Sequence, residues 1–154
     1  MVERIPEEDG VGGSIPSRGT QNELLKFYMG EKMANSQLVL IIEDSKTVAL
    51  TQKRCLEDER IEVLWAETIE KAKNILKERA KEISVIILDA CLQSEKPNTM
   101  CLIPEARARG FRGSIITSSS NDDYSQTLMR AGATYKSDKT DAVKTALLTL
   151  KNFE

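Results

Sequence analysis

The chain has no histidine at all. That excludes Ser–His and Cys–His catalysis, and it removes the commonest zinc ligand. Cysteine is scarce: Cys55, Cys91 and Cys101 are an odd number with no C-x-x-C spacing, so they read as reduced thiols of a cytoplasmic protein. No apolar run is long enough to span a membrane, and nothing at the N-terminus reads as a signal peptide. An excess of positive charge is also missing. Lys and Arg number 22 against 24 Asp and Glu, a net charge of −2. No basic cluster stands out, so direct nucleic-acid binding is not expected. No glycine-rich phosphate loop follows the first apolar run, which argues against a nucleotide-binding domain. Any chemistry must therefore run on carboxylates, hydroxyls, lysine and a hard metal ion.

What is present is a chain of 154 residues, 40% hydrophobic and 30% charged. That is the make-up of a globular domain with some extra length. The extra length falls at residues 1–36. MVERIPEEDGVGGSIPSRG is rich in glycine and proline and poor in apolar anchors, and reads as a flexible arm. Within it, Thr20-Gln21-Asn22-Glu23 resembles a capping box, so a short helix over 20–30 is expected.

From Gln37 the pattern alternates. QLVLIIED, IEVLWA (61–66), ISVIILD (83–89) and GSIIT (113–117) are apolar runs of strand length. Ser45 is placed to cap a helix over about 46–58 with Val48, Cys55 and Leu56 inward. Ile69, Ala72 and Leu76 form one stripe of a second helix. Pro104 restricts a third to a short helix near 102–109. A fourth runs from about Asn121 to Ala131 and stops at Gly132. A weak fifth strand, about 133–138, precedes a last helix carrying Val143, Ala146, Leu147 and Leu150. Five β–α units with strands apolar on both faces predict an α/β fold: a doubly wound, five-stranded parallel sheet with helices on both faces. In such sheets sites form at the carboxyl ends of strands.

Those ends carry chemistry. Glu43 and Asp44 follow the first strand, Asp89 the third, Thr117 and Ser118 the fourth, and Lys136 or Lys139 the fifth. Clustered carboxylates repel unless a cation sits among them, and an all-oxygen set suits Mg²⁺. An aspartate beside Mg²⁺ and a lysine can attack phosphorus and form an acyl phosphate. Each residue alone also has an ordinary explanation: the acids as helix caps, Thr117 as a polar loop residue, the lysine as a solvated charge. Trp65 and the cysteines read as packing residues.

Taken in order, residues 37–154 resemble the response-regulator receiver domain (CheY-like) of two-component signalling. The resemblance implies the flavodoxin-like strand order 2-1-3-4-5. It implies that Glu43 and Asp44 in IIEDS hold Mg²⁺, that Asp89 in VIILDA is the phosphoacceptor and a metal ligand, and that the Cys91 backbone carbonyl completes the metal site. Thr117 in SIITSS and a lysine after the Gly132-Ala133 pair would contact the phosphoryl group. Lys139 fits the family spacing without a gap, whereas Lys136 would shorten the segment by three residues, about 10 Å of extended chain. The loop CLQSEKPNTM lacks the family's Met-Pro, Thr140 stands where it has proline, and Lys136 stands at the position of its switch aromatic, with Tyr135 one place early.

The implied function is a non-enzymatic signalling switch. A histidine kinase or phosphotransfer protein would phosphorylate Asp89, and a surface on the fourth helix, fifth strand and fifth helix would bind a downstream protein target. No output domain follows the last helix in this sequence, so output is expected through that target or through a domain outside the sequence. A homodimer is left open. The alternative is a phosphorylation-independent (pseudo-receiver) binding module. An aspartate-nucleophile phosphatase is disfavoured, because Cys91 stands where such enzymes place a second acid.

Overall fold

The structure, a computed structural model, describes residues 37–152. The expected arm over 1–36, with its helix at 20–30, lies outside the described residues.

Four strands form one parallel sheet: β1 (Leu38–Ile42), β2 (Glu62–Ala66), β3 (Val85–Leu88) and β4 (Ser114–Thr117), in the order β2-β1-β3-β4. Five α-helices connect and follow them: α1 (Lys46–Glu57), α2 (Ile69–Arg79), α3 (Leu102–Ala108), α4 (Asp122–Arg130) and α5 (Ala142–Lys151). β1, β3 and β4 are buried along their whole length, as strands covered on both faces must be. Side chains alternate between the faces. Leu38, Leu40, Ile42, Ile86, Leu88 and Ile115 pack with Ala72 and Leu76 of α2, Leu102 and Ala106 of α3, and Leu128 of α4. Val39, Ile41, Val85, Ile87 and Ile116 pack on the opposite side with Ala49 and Leu56 of α1 and with Ala142, Ala146 and Leu150 of α5.

Helix ends follow the local chemistry. Ser45, Thr68 and Asn121 each accept a backbone amide at the start of α1, α2 and α4. Pro104 sits in the first turn of a seven-residue α3. Gly132, at φ +118°, follows the end of α4 in the left-handed region.

Two expectations need correction. The inward stripe of α1 is Ala49, Gln52 and Leu56, while Cys55 is exposed and Val48 only half-buried. The helix phase is set by Ala49 and Leu56, which pack in the cluster with β1, and a polar residue occupies the turn between them. The second correction concerns residues 133–138. Among the described residues there is no fifth strand, only an isolated parallel bridge between Ile116 and Tyr135. The segment does run beside β4: the Tyr135 amide donates to Ile115 O, the Thr117 amide to Tyr135 O, and the Ser119 amide to Ser137 O. The Ser137 amide, however, donates to the Thr117 side-chain Oγ1 at 3.0 Å. A side chain has taken one rung of the ladder, and the polar sequence TYKSDK offers no apolar face to hold a longer strand.

Candidate functional site

Strand register brings the acids together. Ile42 stands opposite Leu88, and Leu88 opposite Thr117. The next residue on each strand therefore falls at one level. The Asp89 amide donates to Ile42 O, the Ser118 amide to Leu88 O, and the Glu43 amide to Ala66 O. Alternation then continues Val39, Ile41, Glu43 and Val85, Ile87, Asp89 toward the side covered by α1 and α5. The approach to α5 lies on that side and carries Lys139. Its Nζ is 2.6 Å from Glu43 Oε2 and 3.2 Å from Asp89 Oδ1. Lys136 pairs instead with Asp122 at the start of α4, at 2.7 Å. Of the two candidate lysines, Lys139 reaches the acids.

Glu43, Asp44 and Asp89 can each present a carboxylate oxygen within 4.8 Å of the others. Glu43 and Asp89 are buried, and Asp44 is half-buried. Glu43 Oε1 accepts the Ser45 amide, and the Trp65 indole N–H donates to the Glu43 carbonyl at 2.7 Å. Trp65, expected only to pack, thus also fixes the main chain at Glu43. Asp44 Oδ2 accepts the amide of Gln93 at 2.7 Å. Gln93 holds φ 54°, a left-handed conformation that costs a non-glycine residue on the order of 1 kcal/mol.

The loop after Asp89 is closed by its own polar groups. Asn98 exchanges two hydrogen bonds with the Leu92 main chain, and the Thr99 hydroxyl, fully buried, donates to Asp89 O at 2.8 Å. Cys91 lies within this loop, its amide 3.4 Å from Asp89 Oδ1. Thr117 is buried at the end of β4. Its hydroxyl accepts the Ser137 amide and donates to Ser137 O at 3.3 Å, so both of its bonds go to Ser137. The structure thus joins Glu43, Asp44, Asp89 and Lys139, sets Cys91 beside them, and leaves Thr117 tied to Ser137. Asn98 and Thr99 escaped the sequence reading; their one signal is an Asn-Thr pair just before a helix, a common turn-forming arrangement.

Burial pushes the Glu43 carboxyl up to about 7, against the hydrogen bonds from Lys139 and the Ser45 amide, with Asp89 adding to the rise. Burial opposes the charge of Lys139, but the bond to Glu43 and the charge of Asp89 outweigh it, and its affinity for the proton is raised. Burial, then the charge of Asp89, pushes the Cys91 thiol up, which disfavours a thiolate ligand or nucleophile there. The donor set is all oxygen, and one buried carboxylate is held unfavourably when charged. Such a set fits a hard divalent cation.

No protein-family model matches the sequence, and the curated proteins give no match either. Solved structures do. A response regulator receiver protein from Pseudomonas putida aligns at 26% identity and TM-score 0.60, covering 77% of this chain and 98% of its own. A CheY-like receiver domain from Methylobacillus flagellatus aligns at 17% identity and TM-score 0.64, covering 77% and 99%. A response regulator protein from Burkholderia pseudomallei, solved with a phosphorylated aspartic acid, calcium ion and citrate, aligns at 20% identity and TM-score 0.61, covering 75% and 66%. The sheet order, the helices on its two faces and these neighbours agree: the chain has the fold of the response-regulator receiver (CheY-like) domains.

Proposed function

We propose that the chain is a response-regulator receiver that accepts a phosphoryl group on Asp89 and thereby switches a protein-interaction surface. The observation that carries this reading is the meeting of Asp89 with Glu43, Asp44 and Lys139 at the carboxyl edge of a receiver-type sheet. The donor would be a histidine kinase or phosphotransfer protein, and the setting the cytoplasm. The phosphorylated aspartate and calcium of the Burkholderia pseudomallei neighbour support the same chemistry here.

Glu43, Asp44, Asp89 and the Cys91 carbonyl would hold Mg²⁺. When bound, Mg²⁺ supplies positive charge to offset the oxygens of an incoming phosphoryl group. An Asp89 carboxylate oxygen attacks phosphorus, and the bond from phosphorus to the donor breaks with its electron pair leaving on the donor. Lys139, already beside Asp89, donates to a phosphoryl oxygen once released from its present pairing. Thr117 serves the same group by exchanging Ser137 for a phosphoryl oxygen. Because Thr117 holds the 133–137 segment, that exchange would loosen the segment and alter the surface it shares with α4 and α5. A downstream protein target would read that surface. The role is regulatory rather than enzymatic and involves neither membrane nor direct nucleic-acid contact; homodimerisation would use the same faces.

Two observations favour a second reading, a phosphorylation-independent binding module: the Thr117 hydroxyl is satisfied by Ser137, and no aromatic stands at Lys136. Intact mass separates the two. After incubation with a small-molecule phosphodonor, the first reading predicts a single phosphoryl adduct that requires Mg²⁺ and is absent in Asp89→Asn. A folded wild type that stays unmodified with Mg²⁺ present selects the second.

A further inference from the structure

Gln52 lies on the inward stripe of α1, between Ala49 and Leu56, and is 3% exposed. That side of the sheet is an apolar cluster that gives way to Glu43 and Asp89 at the strand ends. A buried amide is costly there unless it is hydrogen-bonded, and an apolar side chain of the same length would fill the stripe without that cost. Its Nε2 donates to two groups that are far away in sequence. One is Ser118 Oγ, just past Thr117, at 3.3 Å; the other is the main-chain carbonyl of Lys139, also at 3.3 Å. That carbonyl can only accept, so the nitrogen of the amide must face it. The Gln52 oxygen is left buried with no partner. The amide is therefore oriented by Ser118 and Lys139, at the expense of its own acceptor.

The consequence is mechanical. Lys139 is held at both ends: its ammonium by Glu43 and Asp89, its main chain by Gln52. The same amide holds the residue after Thr117. Helix α1 is thereby tied to both segments that meet the phosphoryl group in the reaction above. We propose that Gln52 is a positioning residue for phosphoryl transfer to Asp89, acting through the main chain of Lys139 and through Ser118. This rests on the phosphoryl-acceptor reading. Gln52 touches no reacting atom. It sets where the lysine ammonium stands when Asp89 attacks, and a displacement of about 1 Å in such a group can cost up to roughly 100-fold in rate.

The test is the rate of Asp89 adduct formation against phosphodonor concentration, in Mg²⁺, for wild type, Gln52→Met, Ser118→Ala and Leu56→Val. Gln52→Met keeps the length and packing of the side chain and loses both donations. It should lower the maximal rate about tenfold and leave the half-saturating donor concentration unchanged. Leu56→Val, on the same stripe, should lower the melting temperature and change neither kinetic quantity. Ser118→Ala removes one arm of the bridge and should give a smaller fall in maximal rate; it decides the matter if Gln52→Met does not fold. An adduct forming in Gln52→Met at the wild-type maximal rate overturns the inference alone, as does an equal fall in Leu56→Val. Absence of any adduct in the wild type overturns the phosphoryl-acceptor reading, and the inference falls with it.

Discussion

Glu43 is where the electrostatic cost of the site concentrates. Its carboxyl is buried at the end of β1 and carries a pKa of about 7 against an ordinary 4.5. The folded state therefore holds that proton more tightly than the unfolded chain does. Stability from this group is fully present below about pH 4.5 and is lost as the pH rises through about 7. The loss is on the order of 3 kcal/mol. Urea unfolding of wild type and Glu43→Gln at about pH 5 and about pH 7.5 checks this. The wild type should lose stability relative to Glu43→Gln on going to the higher pH; a constant difference would contradict the account. Trp65 matters at the same scale, because its indole anchors the Glu43 carbonyl and so keeps the carboxyl near Lys139. Placing Glu43, Asp44 and Asp89 at strand ends needed only the apolar runs before them. Gln52, Thr99 and Asn98 were not legible in the same way. Gln52 acts through the main chain of Lys139, far away in sequence, and Asn98 and Thr99 act through main-chain groups of their own loop, whose closed conformation no periodic pattern marks.

At the scale of elements, the position of β4 decides where Thr117 and Ser118 stand, and β4 begins at a glycine-gated approach to β3. A Cβ on Gly113 would lie 1.9 Å from Ser84 O and 2.8 Å from Ser84 C, both main-chain atoms. Neither can move without shifting the start of β3, so Gly113→Ala should cost about 1–3 kcal/mol, the range for overpacking a rigid contact. A chemical-denaturation midpoint measures it, and a loss under about 0.5 kcal/mol would show that the two strands separate freely. The α1 stripe shows why helix faces are harder to read than strands. A strand buried on both faces announces itself as an apolar run, as LVLII does. A helix must be phased, and an inward glutamine hides the phase: Cys55, expected inward with Val48 and Leu56, is exposed. The fifth strand failed for a related reason. Its polar sequence marks it as weak, but the rung made by the Thr117 side chain, which decides where main-chain pairing stops, has no periodic signal.

For the molecule as a whole, the parallel sheet gathers residues from position 43 to position 139 on one edge, and a ligand there should stabilise the entire fold. A cation bound by the native acids but not by the unfolded chain adds about 2.7 kcal/mol at 100 times its Kd. Mg²⁺ should therefore raise the melting temperature of the wild type by several degrees, and Asp44→Asn should lose most of that gain. An equal gain in both proteins would place the cation elsewhere. The global topology was legible because local signals and strand order agree: apolar strands alternate with amphipathic helices, and crossover rules restrict the arrangement. The pairing of Thr117 with Ser137 was not legible, since it depends on how the polar segment after α4 lies against the end of β4.

In the proposed function Asp89 itself carries the phosphoryl group. The most direct measurement is to trap the acyl phosphate with borohydride after phosphodonor treatment, digest the protein, and locate the reduced residue by peptide mass spectrometry. Reduction is expected at residue 89 alone, only when Mg²⁺ was present. Reduction at another carboxylate, or an unreduced Asp89 in protein shown to be folded, would contradict it.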